Sequence, residues 1–365
     1  MTRLRVELGD RSYAIVIAES YARLPGCLEA LGLGPEAWVV SHARLLRRHG
    51  PQLLGPLRRA GWHVFTVTVP EAETSKSLAM AQHVIGRLAR APRMHMPTLF
   101  AFGGGVVGDL TGFVAAVYRR GVPLVHLPTT LLAQVDSAVG GKTGVDLPQG
   151  KNLLGAFYQP RLVYNNTAIL RTLPARQRRS GLAEVIKYGA IADPALFAFL
   201  ERRLGACLAL EPQAVRVMVE RSCAIKARVV SRDERETGAL RVQLNFGHTL
   251  GHALEAATGY RRFTHGEAIA VGMCAAARLS VALGWLPDAA CQRLARLLRH
   301  AGLPTAVRGV APAALWRVLR HDKKFTRGRP RWVLLRRLGQ AAASEVVPDA
   351  PARRVVAEAV SAADG

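Results

Sequence analysis

The sequence predicts an α/β + α chain: a parallel α/β half over residues 1–175, then an all-α half over residues 176–365. Three observations carry this reading. Strand-like and helix-like segments alternate through the first half, the pattern of a parallel sheet covered by helices. After Thr172-Leu173-Pro174 the texture changes to long amphipathic segments, and strand character nearly vanishes. Residues 103–155 pack many glycines into an otherwise apolar stretch. Each glycine costs conformational entropy, and glycine runs let backbone N–H groups approach phosphate oxygens. The stretch therefore points to a phosphorylated cofactor, a phosphorylated substrate, or both.

Taken in order, residues 4–8 and 13–17 read as a hairpin, and 37–40 as a short apolar strand. Residues 45–60 have helical spacing, 63–69 read as a strand, and 77–90 as a helix. Residues 98–102 form a strand that runs straight into the glycines, with a helix starting near Asp109, and 124–127 form another strand. In the second half the apolar positions recur at helical spacing over 181–191, 194–204, 212–231, 249–258, 265–283 and 289–301. Residues 331–335 are the one short strand expected there, and the tail after Pro348 reads as a short helix.

The chain has 365 residues, a length typical of about two domains. No apolar run reaches the roughly 18 residues of a membrane span, and the first residues lack the apolar core of a secretory signal. Five cysteines (Cys27, Cys207, Cys223, Cys274 and Cys291) lie scattered without CxxC spacing. That pattern predicts a reducing cytoplasm and argues against disulfides or a cysteine zinc cluster. Net charge is 50 − 26 = +24. The arginines are spread along the chain and do not form one basic arm. Aromatic content is only 6%, so stacking platforms for bases are scarce. The balance argues against a nucleic-acid partner, while a basic surface attracts an anionic metabolite.

Gly103-Gly104-Gly105-Val106-Val107-Gly108 fits GxGxxG directly after a strand. It lacks the acidic residue about twenty positions later that binds ribose. It reads as a pyrophosphate contact or as a tight strand-to-helix turn. Gly140-Gly141-Lys142-Thr143-Gly144 resembles the end of a P-loop without its first glycine, so no nucleoside-triphosphatase is expected. In that glycine-dense setting Lys142, Lys151 and Asn152 read as donors to substrate oxygens. In the second half His248 and His252 stand at i, i+4 on one helix face, and His265-Gly266-Glu267 opens another helix. Glu184 lies in the apolar Leu182–Tyr188 segment, with Lys187 at i+3. A buried carboxylate must be paired, protonated or metal-bound. Three Glu/His ligands with an open position make a catalytic zinc site, whereas histidine pairs on helices also occur simply packed or hydrogen-bonded.

Together these stretches resemble the 3-dehydroquinate synthase family, the shikimate-pathway branch of the sugar phosphate cyclases. The resemblance spans nearly the whole chain. It rests on GGGVVGDLTGFVAA, YRRGVPLVHLPTTLLAQVDSAVGGKTGVD, GKNLLGAFYQP, LAEVIKYG, LNFGHTLGHALE, HGEAIAVGM and the late Asp322-Lys323-Lys324. It implies a Rossmann-like NAD-binding domain, a C-terminal all-α metal-binding domain and an active site between them. It also implies tightly held NAD, one divalent metal (zinc, or cobalt) and a homodimer. The implied reaction converts 3-deoxy-D-arabino-heptulosonate 7-phosphate to 3-dehydroquinate and phosphate. Its steps are transient oxidation by NAD, β-elimination of phosphate, re-reduction and intramolecular aldol closure.

Matched motif by motif, the resemblance makes Glu184, His248 and His265 the metal ligands and has His252 assist proton movement. Asp136, Lys142, Asn152, Lys187, Arg241 and Asn245 match substrate positions, joined by Lys226 and one of Lys323 or Lys324. Arg120 matches an arginine that reaches the phosphate from the neighbouring subunit. Glu73, Lys76, Gly104, Gly105, Asp109, Thr129, Thr130, Lys142 and Lys151 match cofactor contacts. There are departures. Asp146 replaces the usual Asn after Lys142-Thr143-Gly144-Val145, Ser41-His42 replaces the usual ribose contact, and residues 236–241 run one residue longer than usual.

Three rival readings make different demands. Another sugar phosphate cyclase would alter the Gly150–Gly155 stretch. An NAD- and metal-dependent alcohol dehydrogenase would consume NAD and not need so many anion-binding lysines. A nucleic-acid binder would show steeply salt-dependent affinity and give Glu184, His248 and His265 no purpose.

Overall fold

The structure, a computed structural model, describes residues 1–91, 95–321, 325–326, 329–344 and 347–361. The chain forms two compact units, Met1–Leu173 with Val215–Arg235, and Pro174–Ala214 with Glu236–Gly365.

The first unit opens with β1 (Thr2–Val6), β2 (Tyr13–Ala18) and α1 (Leu24–Glu29). It continues through β3 (Glu36–Ser41), α2 (Ala43–Arg59), β4 (His63–Thr68), α3 (Leu78–Arg90), β5 (Thr98–Gly103), α4 (Gly105–Val117) and β6 (Leu124–Pro128). The hairpin β7 (Lys142–Leu147) and β8 (Gly150–Phe157) follows, then β9 (Leu162–Asn166). Among the described residues one seven-stranded sheet has the order β1-β2-β9-β6-β5-β3-β4. Only the β1–β2 pairing is antiparallel. The buried strands are apolar runs, as a sheet covered on both faces requires. Trp38, Val40, Leu99 and Leu124 pack with Val84, Leu88, Leu110 and Val114 of the covering helices.

Strand order reverses between β3, which leads to β4 on one side, and β5, which leads through β6 to β9 on the other. Ligands of open α/β sheets bind beyond the strand C-termini at such a switch point. Here it lies beside Ser41 of β3 and Gly103 of β5.

The second unit contains α5 (Ala175–Ala192), α6 (Pro194–Ala209), the start of α7 (Pro212–Arg232), α8 (Ala239–Val242), α9 (His248–Ala257), α10 (His265–Ala282), α11 (Asp288–His300) and α12 (Pro312–His321). Short strands β10 (Phe325–Thr326) and β11 (Arg329–Pro330) pair, as do β12 (Trp332–Arg337) and β13 (Gln340–Ser344), before α13 (Asp349–Ser361). The unit is predominantly helical, as expected, with two short strand pairs added to its helices. β12 is apolar at Trp332–Leu335, and all four of these consecutive residues are buried, so the strand is covered on both faces there.

The division also differs from a single cut at 175. Most of α7 packs with the first unit. The Glu7 N–H donates to Ser231 Oγ at 2.8 Å, Cys223 Sγ lies 3.2 Å from the Gln134 carbonyl, and Lys226 binds Asp136. Helical periodicity identifies α7 as a helix but does not say which body it covers. Among the described residues no helix is long and apolar enough to cross a membrane.

Candidate active site

In the helical unit the site begins with a buried carboxylate. Glu184 is wholly buried on α5, and one turn later the equally buried Lys187 ion-pairs with its Oε2. Its Oε1 faces two imidazoles, with His265 Nε2 at 3.2 Å and His248 Nε2 at 3.5 Å. Local sequence puts them there. Gly247, with φ 81°, caps α9, so His248 is the first residue of that helix. His265 is the first residue of α10, held by a capping box between Thr264 and Glu267. The helices cross in backbone contact, and a Cβ on Gly272 would lie 1.9 Å from the Gly247 carbonyl oxygen.

The second ring nitrogens are also engaged. His248 Nδ1–H donates to the Phe246 carbonyl at 3.2 Å, and His265 Nδ1 faces Glu255 Oε2 at 3.6 Å. Burial alone would lower the His265 pKa. The hydrogen bonds and charges of Glu184 and Glu255 outweigh it and hold the ring at about 10. His252 completes the group, its ring centroid 5.1 Å from that of His248.

These residues fit a divalent cation. Ligand atoms bound to a tetrahedral zinc at about 2.0–2.1 Å lie roughly 3.3 Å apart, close to the two Glu184 distances. The three ligand atoms all lie within 4.8 Å of one another. Histidine ligands usually give their other N–H to a carboxylate or carbonyl, as the Glu255 and Phe246 oxygens provide. His252, Glu255 and His265 form a second, overlapping group of possible donors. Sequence reasoning missed Glu255, although its spacing from His248 and His252 places all three on one face of α9.

In the α/β unit, Lys76 is buried and donates to Asp109 Oδ2 at 2.5 Å and to Asn152 Oδ1. Burial pushes the Asp109 carboxyl up from its usual range, and the Lys76 ammonium offsets this only in part. Lys151 Nζ reaches Glu73 Oε1 at 2.6 Å. Asp146 Oδ1 accepts the Asn152 N–H at 2.8 Å, a role that an asparagine oxygen fills equally well. The departure at Asp146 thus leaves the turn's support intact while adding a charge. Expected cofactor residues and the expected substrate residue Asn152 therefore share one network.

α4 starts at Gly105 rather than near Asp109, because Gly104 is its N-cap. A Cβ on Gly104 would meet Thr130 Cγ2 at 3.2 Å, and one on Gly105 would meet Ser137 Oγ at 3.3 Å. Thr129 donates its N–H to the Gly103 carbonyl at 2.9 Å. Other glycines of the stretch serve packing instead. A Cβ on Gly155 would sit 2.1 Å from the Thr143 carbonyl oxygen across the β7–β8 pair.

Lys226 Nζ donates to Asp136 Oδ1 at 2.6 Å and to its carbonyl at 2.8 Å. Lys142 is exposed at the start of β7, and Arg120 is exposed with φ 63°. Arg241 is buried on α8, and Asn245 Nδ2 donates to Glu236 Oε1 at 3.0 Å. The ribose-position residue His42 turns its Nδ1 to the Val69 carbonyl at 3.1 Å. Lys323 and Lys324 lie outside the described residues.

Known proteins are similar to this chain in sequence and in fold. Two family profiles match, "3-dehydroquinate synthase N-terminal" over residues 66–180 and "3-dehydroquinate synthase C-terminal" over residues 181–325. Among solved structures, a 2-deoxy-scyllo-inosose synthase complexed with carbaglucose-6-phosphate, NAD+ and Co2+ superposes with a TM-score of 0.84 at 26% identity, covering 98% of this chain and 100% of that one. A 2-epi-5-epi-valiolone synthase from Streptomyces hygroscopicus subsp. jinggangensis, with NAD+ and Zn2+ bound, gives 0.85 at 26% identity, covering 95% and 97%. The 3-dehydroquinate synthase of Caldanaerobacter subterraneus subsp. tengcongensis is 43% identical over 341 residues, 93% of this chain and 96% of the relative. Two profiles over 66–325 and a relative this similar over nearly the full length mean that the chain belongs to the 3-dehydroquinate synthase family.

Proposed function

We propose that this chain converts 3-deoxy-D-arabino-heptulosonate 7-phosphate to 3-dehydroquinate and phosphate, using NAD and one divalent cation. The observation that carries the reading is the convergence of His248 and His265 on one oxygen of the buried Glu184. It is supported by the 43% identity to a 3-dehydroquinate synthase in an alignment that covers 93% of the chain.

Glu184, His248 and His265 would hold the cation, and the Lys76–Asp109–Asn152 network with Gly104, Gly105, Thr129 and Thr130 would border NAD. Once bound, the cation supplies Lewis acidity at a substrate oxygen, and NAD supplies reversible hydride uptake. The chain's own residues position, polarise and move protons. Glu255 and the Phe246 carbonyl hold the Nδ1 protons, so both Nε2 atoms face the same Glu184 oxygen, where the proton that His265 carries would give way to a cation. Lys187 compensates the negative charge of Glu184 where water does not reach it. His252, beside His248, is the candidate for proton movement. Asp136, Lys142, Asn152, Lys226, Arg241 and Asn245 are the proposed substrate residues, with the cationic ones matched to phosphate and carboxylate. Arg120 is the proposed contribution from a second copy in a homodimer. The exposed Leu153 and Phe157 of β8 support that assembly.

Phosphate release from the heptulosonate phosphate tests the reading, run with NAD, with and without chelator, with the product identified by mass. Chelator-sensitive dehydroquinate formation without net NADH is expected. Turnover of a heptulose or hexose phosphate in its place would move the chain to another sugar phosphate cyclase activity.

A further inference from the structure

The helices that carry Glu184 and His265 are fastened to each other at two levels of α5, about two turns and one turn before Glu184. Arg176, on the first turn of α5, makes a two-pronged contact with Glu267 on the first turn of α10. Its Nε–H donates to Oε1 at 2.8 Å and its Nη2–H to Oε2 at 2.7 Å. The same Nη2 donates to the Arg262 carbonyl at 2.9 Å, which pins the chain entering α10. Glu267 Oε2 also accepts the Thr264 N–H at 2.8 Å, and Thr264 Oγ1 accepts the Glu267 N–H at 3.3 Å. His265 thus sits inside a capping box that is itself tied to α5.

Beneath this lies a second contact. The Gly266 N–H donates to Ser180 Oγ at 3.0 Å, and a Cβ on Gly266 would fall 2.2 Å from the Ser180 carbonyl oxygen. Ser180 precedes Glu184 by one helical turn, and Gly266 follows His265 directly. The Ser180 contact therefore sets how far α10 stands from α5 one turn from the 3.2 Å Glu184–His265 pair, and the Arg176 contact fixes the same two helices a further turn along.

We infer that Arg176, Glu267 and Ser180 form a clasp that fixes the separation of Glu184 from His265, which makes them positioning residues for the cation. The inference rests on the metal reading above. An exposed ion pair contributes little to global stability. Bidentate arginine geometry does give directional restraint, and a metal site responds to small shifts of its ligands. Partners that orient ligands cost about 10- to 100-fold in metal affinity when removed. Arg176 acts at one remove and is more than half exposed, so its effect falls at or below the low end of that range.

The test loads the full chain with Co2+ and measures affinity by competition with a chromophoric chelator. It also measures the visible absorption of the bound ion, which reports coordination geometry, and the melting temperature of the metal-free protein. Arg176→Ala and Ser180→Ala should each lower affinity by roughly 3- to 10-fold and weaken or shift the absorption, with little change in metal-free melting for Arg176→Ala and a drop for Ser180→Ala, which leaves the buried Gly266 N–H unpaired. Arg176→Lys should restore part of the loss. Arg293→Ala removes an equally two-pronged contact, to Glu201, and should leave Co2+ binding unchanged. Glu184→Ala separates the two levels of the argument. Co2+ affinity lost in Glu184→Ala but unaltered in Arg176→Ala overturns the clasp alone, while affinity retained in Glu184→Ala removes the metal reading and the clasp with it.

Discussion

His265 is under two opposing demands. Glu184 and Glu255 face its two nitrogens and keep a proton on a ring that burial would otherwise deprive of one. A cation needs the Nε2 lone pair, so binding must release that proton. Apparent Zn2+ or Co2+ affinity should therefore climb with pH, by about tenfold per unit while a single proton is displaced, and level off near pH 10. A pH-independent affinity measured by chelator competition would contradict this. The metal-free fold should behave oppositely. Because the folded-state pKa is raised, the stabilising contribution of His265 is complete below its ordinary value of 6.5, declines as pH rises, and is gone above about 10. Glu255→Gln should lower metal affinity by about 10-fold or more, and isothermal titration would detect it. Glu184, Lys187, His248 and His252 were legible in the sequence because a carboxylate or lysine inside an apolar helix and a histidine pair at i, i+4 are local signals, while His265 was singled out as a ligand by the family resemblance. Glu255 was not legible, since what distinguishes it is the ring it faces on another helix.

At the scale of elements, the site depends on how closely α9 and α10 cross. Gly272 is required there, because any side chain would enter the Gly247 carbonyl, whose own residue needs a left-handed φ. Gly272→Ala should destabilise by about 1–3 kcal/mol or more through overpacking and should weaken metal binding as His248 moves from His265. Differential scanning calorimetry and Co2+ titration would check the two effects, and an unchanged melting temperature would refute the crossing argument. The long helices could be read from their 3.6-residue period, and the parallel strands from their apolar runs. The β7–β8 hairpin could not. Gly144 and Gly155 stand opposite each other in its register, so it lacks the alternating side chains that announce a strand. The start of α4 was hidden likewise, because a glycine-rich first turn resembles a loop. The return of α7 to the α/β unit rests on contacts such as Lys226–Asp136, which no local pattern encodes.

At the scale of the whole molecule, two features extend beyond the helices and strands. β8 pairs only with β7 among the described residues and exposes Leu153 and Phe157. An exposed apolar strand edge is normally covered, and the proposed homodimer would cover it. Phe157→Glu should shift sedimentation towards monomer and lower activity if Arg120 acts in the second copy. An unchanged dimer would place the interface elsewhere. The other feature is the net charge of +24, which no single binding site requires. The proposed substrate carries a phosphate and a carboxylate, so a positive field raises its encounter rate. Mobile ions screen that field over about 8–10 Å at physiological salt. Raising ionic strength with an inert salt should lower kcat/KM several-fold while leaving kcat nearly constant, because steering acts on capture and not on the bound complex. Steady-state kinetics across a salt series measures both. A kcat/KM indifferent to salt would mean that the charge is spread too evenly to guide the substrate, leaving recognition to short-range contacts such as those proposed for Lys142, Lys226 and Arg241.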